Sequence, residues 1–135
     1  MNGIVDLPSL LQSLVPRLTE GEYVFCSVTG PLTDYASLDP IAAIRETEGL
    51  TLILPVYVAE LEGLSFHGTY RQITLTVHSS LEAVGLTAAV SVRLAANNIP
   101  ANVVAGYYHD HIFVPGDKAD QALQVLSQLS NNPND

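Results

Sequence analysis

Cysteine and positive charge are both scarce in this chain. A single cysteine, Cys26, among 135 residues excludes an internal disulfide framework. Its place in the apolar run Tyr23-Val24-Phe25-Cys26 reads as a small buried hydrophobe, not a nucleophile. Five Lys and Arg stand against 14 Asp and Glu, a net charge of −9. That balance repels nucleic-acid phosphates and anionic lipid headgroups, so no nucleic acid and no membrane surface is expected as a partner. No stretch approaches the ~18 consecutive apolar residues of a membrane-spanning helix. The N-terminus lacks the basic flank and apolar core of an export signal, so a reducing, cytoplasmic setting is expected. Phosphate-binding loop, dinucleotide fingerprint, paired-Cys motif and Gly-x-Ser-x-Gly elbow are all missing. No cofactor is implied, and no enzyme class.

What the chain does have is apolar mass: 47% of its residues are hydrophobic and only 14% are charged, enough for a substantial core. The acidity is uneven. Residues 1–65 carry a net charge of −7 and residues 66–135 a net charge of −2.

Asp6 followed by Leu7-Pro8 has the form of a helix N-cap with proline in the first turn, and Leu7, Leu10, Leu11 and Leu14 repeat at helical spacing until Pro16. Glu22 to Val28 reads as a strand ended by Gly30-Pro31. Asp39-Pro40 repeats the cap-then-proline signal and predicts a second short helix carrying Ile41 and Ile44. Leu50 to Leu54, bounded by Gly49 and Pro55, suits a buried strand, and one or two helical turns fit before Gly63.

The second half alternates more clearly. In the segment Thr69 to His78, Ile73, Leu75 and Val77 interleave with Thr74, Thr76 and His78, a strand with two unlike faces. Ser79 and Glu82 have capping-box spacing ahead of a helical stripe of Leu86, Ala89, Val90 and Leu94, which Asn97-Asn98 ends. Asn102 to Tyr107 and His111 to Val114 read as a hairpin turning near His109. Pro115-Gly116-Asp117 then opens a last helix striped by Ala119, Ala122, Leu123, Leu126 and Leu129, leaving residues 131–135 as a frayed tail. The resulting order β-α-β-β-α is the ferredoxin-like βαββαβ unit short of its last strand. An open edge is costly, so the missing strand is expected from the first half or from another protomer.

Three groups invite chemistry. Tyr107-Tyr108-His109-Asp110-His111 offers two imidazoles and a carboxylate, read either as a locally hydrogen-bonded turn or as a metal-binding or enzymatic group built on His109 and His111. His78 beside Ser79 and Ser80 lacks a third orienting group and fits a capped helix start. The acidic pairs Glu46/Glu48 and Glu60/Glu62 have no basic or aromatic companions and read as solvated surface, and His67 as an exposed loop residue.

The stretches ITLTVHSSLEAVGLTAAVS (residues 73–91) and NVVAGYYHDHIFVP (residues 102–115), with GEYVFC and EGLTLILP upstream, resemble the small ACT-domain proteins of the DUF2241 type. The second half is similar to the ACT modules of aspartokinases and of eukaryotic cytosolic arginine sensors. The resemblance implies an α+β, ferredoxin-like fold made of two ACT-like halves, a divergent one over residues 1–65 and an ACT domain over residues 66–130. It implies a non-catalytic regulatory module that binds a small metabolite, an amino acid by preference. The ligand would lie where the turn after the first strand meets the second strand of a neighbouring module, in a homo-oligomer, a dimer paired through sheet or helices. Carried onto this sequence, those positions are Val84, Gly85, Leu86 and Thr87 at the turn, and Asn102, Val103 and Val104 on the strand. A glycine at a helix start lets a ligand approach free backbone N–H groups, though tight helix-to-sheet packing asks for the same residue. Asn102 would offer an amide to the ligand, or would cap a turn after Pro100. A ligand-free interaction module is the alternative reading.

Overall fold

A computed structural model describes residues 6–77 and 85–131. These residues form two compact units, one of Gly21–Tyr70 and one that joins residues 6–20 to residues 71–131. Residues 6–20, which a division into residues 1–65 and 66–130 places in the first half, cluster with residues 71–131.

The larger unit begins with helix α1, Leu7–Ser13, capped as its sequence demands. The Asp6 carboxylate accepts from the Ser9 N–H at 3.2 Å and from the Ser9 hydroxyl at 2.8 Å, with proline in the first turn. Strand β1, Pro16–Leu18, follows and pairs antiparallel with residues Ile73 to Leu75 of strand β5, Tyr70–Leu75. Contacts beyond the three paired residues extend the seam. The Thr19 N–H donates to the Gln72 carbonyl at 2.8 Å, Arg71 donates to the Thr19 carbonyl at 3.1 Å, and the Thr76 N–H donates to the Val15 carbonyl at 3.0 Å.

From β5 the chain continues through helix α3, Leu86–Ala96, strands β6, Asn102–Ala105, and β7, Asp110–Pro115, to helix α4, Ala119–Asn131 (α2 lies in the smaller unit). The strand order is β1-β5-β7-β6. The absent sixth element of βαββαβ is therefore β1, brought from the other end of the chain. Leu10, Leu11 and Leu14 of the N-terminal segment lie in one core with Ile73, Leu75, Val90, Leu94, Ile112, Val114, Ala122 and Leu126. Since β5 and β7 put Ile73, Leu75, Ile112 and Val114 on the helix side, Gln72, Thr74, His111 and Phe113 occupy the other face.

The smaller unit repeats the scheme in reduced form. Strands β2, Tyr23–Val28, β3, Ala42–Arg45, and β4, Leu50–Pro55, pair antiparallel in the order β3-β4-β2, and Tyr23 pairs with Tyr70. Helix α2, Val56–Leu61, covers a core of Val24, Cys26, Val28, Leu50, Leu52, Leu54 and Ala59. Two 3₁₀ turns, Leu32–Asp34 and Ala36–Leu38, stand where the larger unit has α3.

One local expectation needs correction. The helix expected from Asp39-Pro40 is strand β3. Asp39 takes the left-handed conformation (φ 51°) that ends the second 3₁₀ turn, and pairing of Ala42 to Arg45 with Ile53 to Leu50 decides the rest. Helix α3 begins at Leu86 behind Gly85. The Ser79/Glu82 capping box and the tail beyond Asn131 lie outside the described residues.

Candidate functional site

The positions carried over from the family resemblance fall into two groups. Val84 lies outside the described residues. Gly85 is the N-cap of α3, with a φ of +102° that side-chain-bearing residues rarely adopt. Its carbonyl accepts the first helical bond, from the Ala89 N–H at 2.8 Å. A Cβ built on it would stand 3.0 Å from Cδ2 of Leu7. Leu86 is buried in the helix-side core, and Thr87 faces solvent. Beside them runs a groove of about 370 Å³ lined by Leu7, Gly85, Ala88, Ala89, Val92, Arg93 and Leu129.

Gly85 thus serves packing between α1 and α3 whatever else it does. Gly85→Ala is expected to lower stability by about 1–2 kcal/mol through the forced left-handed conformation and the Leu7 contact. Urea denaturation measures it, and a change under about 0.5 kcal/mol would show that the N-cap relaxes freely.

Asn102, Val103 and Val104 open β6, the last strand of its sheet order. Asn102 pairs with Phe113, and its exposed side-chain amide donates to the Phe113 carbonyl at 3.2 Å. Val103 packs toward the helix-side core, while Val104 pairs with His111 on the opposite face. Gly85 and Asn102 stand at opposite ends of α3, whose eleven residues span ~16 Å. One copy of the larger unit does not bring the two groups together.

The hairpin between β6 and β7 turns at Gly106–His109, where the Gly106 N–H donates to the His109 carbonyl at 2.9 Å. A Cβ on Gly106 would meet that carbonyl at 2.8 Å and Nε2 of His111 at 3.1 Å, so the turn closes only around glycine. Nδ1 of His109 lies 3.4 Å from the Val77 carbonyl. Nδ1 of His111 lies 3.1 Å from Nε2 of Gln72 and 2.9 Å from the Thr74 hydroxyl. An amide nitrogen only donates, so the His111 Nδ1 is the acceptor and the neutral ring carries its proton on Nε2. Burial pushes His111 below the ordinary imidazole range, repulsion from His109 adds to this, and Asp110 partly offsets it. Burial raises the Asp110 carboxyl, against the attraction of both imidazoles.

The two histidines therefore address different points of β5 and its continuation. Among the described residues no three His, Cys, Asp or Glu side chains gather as a metal would require. His78 lies outside the described residues, and His67, Glu46, Glu48, Glu60 and Glu62 are solvent-exposed. Cys26 is buried, and burial raises its thiol. Sequence reasoning missed Gln72 and Thr74 as partners of His111. Their alternation with Ile73 and Leu75 marked the face, but nothing local marked the strand that would lie beside it.

No helix among the described residues is long and apolar enough to cross a membrane. Residues 2–71 match a family described as an ACT domain, and residues 68–128 match a second family with the same description. No curated protein matches. Among solved structures, a Vibrio cholerae protein of unknown function, described as a possible transport protein, is 57% identical. The match covers 92% of this chain and 95% of that one, with a TM-score of 0.86. An Agrobacterium tumefaciens protein shares 15% identity over 87% of this chain and 89% of its own, with a TM-score of 0.71. The ligand-free regulatory subunit of aspartate kinase from Thermus thermophilus shares 9% identity over 84% and 95%, with a TM-score of 0.57. The chain belongs to the ACT-domain family, whose modules are regulatory and bind small molecules, and it carries two such domains in tandem.

Proposed function

We propose that this protein is a non-catalytic cytoplasmic sensor that binds an amino acid between two copies of itself. The observation that carries the reading is the terminal strand β6, with Asn102 exposed at its start and Gly85 at the opposite end of α3. Antiparallel pairing of β6 with β6 of a second copy sets the start of one strand beside the end of the other. Asn102, Val103 and Val104 of one copy then approach Gly85, Leu86 and Thr87 of its mate, across a twofold axis. The free N–H groups at the start of α3 suit a carboxylate, and the Asn102 amide and the open backbone of β6 suit an ammonium and a carboxylate.

Thermal shift against the amino acids and common anionic metabolites tests this. A ligand at ~100 times its dissociation constant adds about 2.7 kcal/mol of stability. One amino acid is expected to raise Tm selectively, and Asn102→Ala to weaken that shift beyond the few degrees that loss of its bond to the Phe113 carbonyl takes from the ligand-free Tm. A flat screen at high concentration would instead favour a ligand-free assembly module. The paired, outward-facing Tyr107 and Tyr108, 68% and 62% exposed at the hairpin tip, would be its contact, and light scattering across dilution would detect it.

A further inference from the structure

The hairpin of β6 and β7 is held to β5 by side chains on the helix-free face. Gln72 is the one buried polar residue found among those described, only 7% exposed, and its side-chain amide donates to Nδ1 of His111. The Thr74 hydroxyl meets the same nitrogen. Nε2 of His111 occupies the space that a side chain on Gly106 would need, and His109 Nδ1 lies 3.4 Å from the Val77 carbonyl, two residues beyond the end of β5. Among the described residues, the groups that charge the surroundings of His111 are His109 and Asp110 of its own hairpin. β5 contributes only the neutral Gln72 and Thr74, and β6 only Val104 opposite it.

We propose that His111 is an acid-sensitive latch that holds the β6–β7 hairpin on β5 while neutral and loosens it when protonated. Protonation turns Nδ1 from acceptor to donor. The Thr74 hydroxyl can rotate to accept, but the amide of Gln72, a side chain only 7% exposed, then faces a second donor, and a poorly solvated donor without an acceptor is destabilising. Since Val104 of β6 pairs with His111, the strain passes to the edge strand. The consequence for ligand affinity rests on the β6 site proposed above; the latch itself does not.

The sign follows from His111 lying below its ordinary value of about 6.5. Its contribution to stability is fully present above that pH and is lost as pH falls toward the lower folded value. Asp110, raised by burial, works in the opposite sense, with stability lost as pH rises through its folded value, so Asp110→Asn serves as a control.

Melting the ligand-free protein between pH 7.5 and 5.5 reads the latch. The wild type is expected to lose about 3–5 °C more than His111→Asn, whose amide oxygen replaces the Nδ1 acceptor without titrating. Gln72→Glu gives imidazolium a carboxylate partner and is expected to flatten or reverse the wild-type slope. Nitrogen-15 shifts of the wild-type ring are expected to show Nδ1 bare at pH 7.5. Parallel profiles for wild type and His111→Asn, or a protonated Nδ1 at pH 7.5, would overturn the latch. Should His111→Asn fail to fold, Gln72→Glu and the ring shifts still decide. With the amino acid that raises Tm in the screen, affinity is expected to fall about five-fold from pH 7.5 to 5.5 in the wild type and not in His111→Asn. Equal affinities beside unequal melting profiles would remove the coupling to the site and leave the latch standing.

Discussion

A fragment of residues 66–130, the span that the family resemblance assigns to the second ACT domain, is expected to fail to fold alone. It lacks β1, so the backbone of β5 loses the partner formed by Pro16, Arg17 and Leu18, along with the flanking bonds to Val15 and Thr19. It also lacks α1, and with it Leu10, Leu11 and Leu14 of the shared core. At ~1.5–3 kcal/mol for each buried leucine, these three side chains contribute roughly 5–9 kcal/mol. That is comparable with the whole stability of an ordinary domain, ~5–15 kcal/mol. Joining residues 66–131 through a short Gly/Ser linker to residues 6–20 restores strand and helix, since α1 and α4 are in contact, and is expected to restore a cooperative melt. Circular dichroism and amide chemical-shift dispersion distinguish the two chains. A cooperative transition in the 66–130 fragment alone would show that β1 and α1 decorate the sheet instead of completing it.

The second large effect is expected at Phe113. It is the bulkiest of the fully buried side chains found, 1% exposed, on the face of β7 turned away from the helices, where His111 also lies. Phe113→Ala should lower stability by about 3–5 kcal/mol, the usual cost of an emptied aromatic site. Its backbone is held independently by the pairing with Asn102, so the loss comes from side-chain packing. Urea denaturation should show a lower midpoint with an unchanged slope. A loss under about 1.5 kcal/mol would mean that the surrounding residues close over the space.

For the site, the sequence supplied candidates and the fold supplied their distances. Gly85 was readable as a helix-start glycine, and its positive φ and its contact with Leu7 show why no other residue fits there easily. Asn102 was readable as a strand opener, but its distance from Gly85 depends on the direction in which α3 carries the chain. The cluster around His109 and His111 was legible as residues and not as partners. Gln72 and Thr74 come from a strand more than thirty residues earlier, and no local pattern points across that separation.

The sequence by itself determined what depends on neighbours along the chain: the cap at Asp6 with its proline, the alternating faces of β5, the apolar run of β4, the hairpin near His109 and the buried stripe of α4. Each is a short-range pattern, set by periodicity, by a proline or glycine, or by a capping side chain. Only the tertiary structure decided which strand fills the open edge. Pro-Arg-Leu at residues 16–18 has no strand signature, and it becomes β1 because β5 offers an unpaired edge while Leu10, Leu11 and Leu14 hold the segment there. The same force overrode the helix signal at Asp39-Pro40, where pairing with β4 outweighed a local preference that is weak for so short a segment. Backbone pairing and burial act between residues distant in the chain, and they outweigh local propensity wherever the local pattern is only a few residues long.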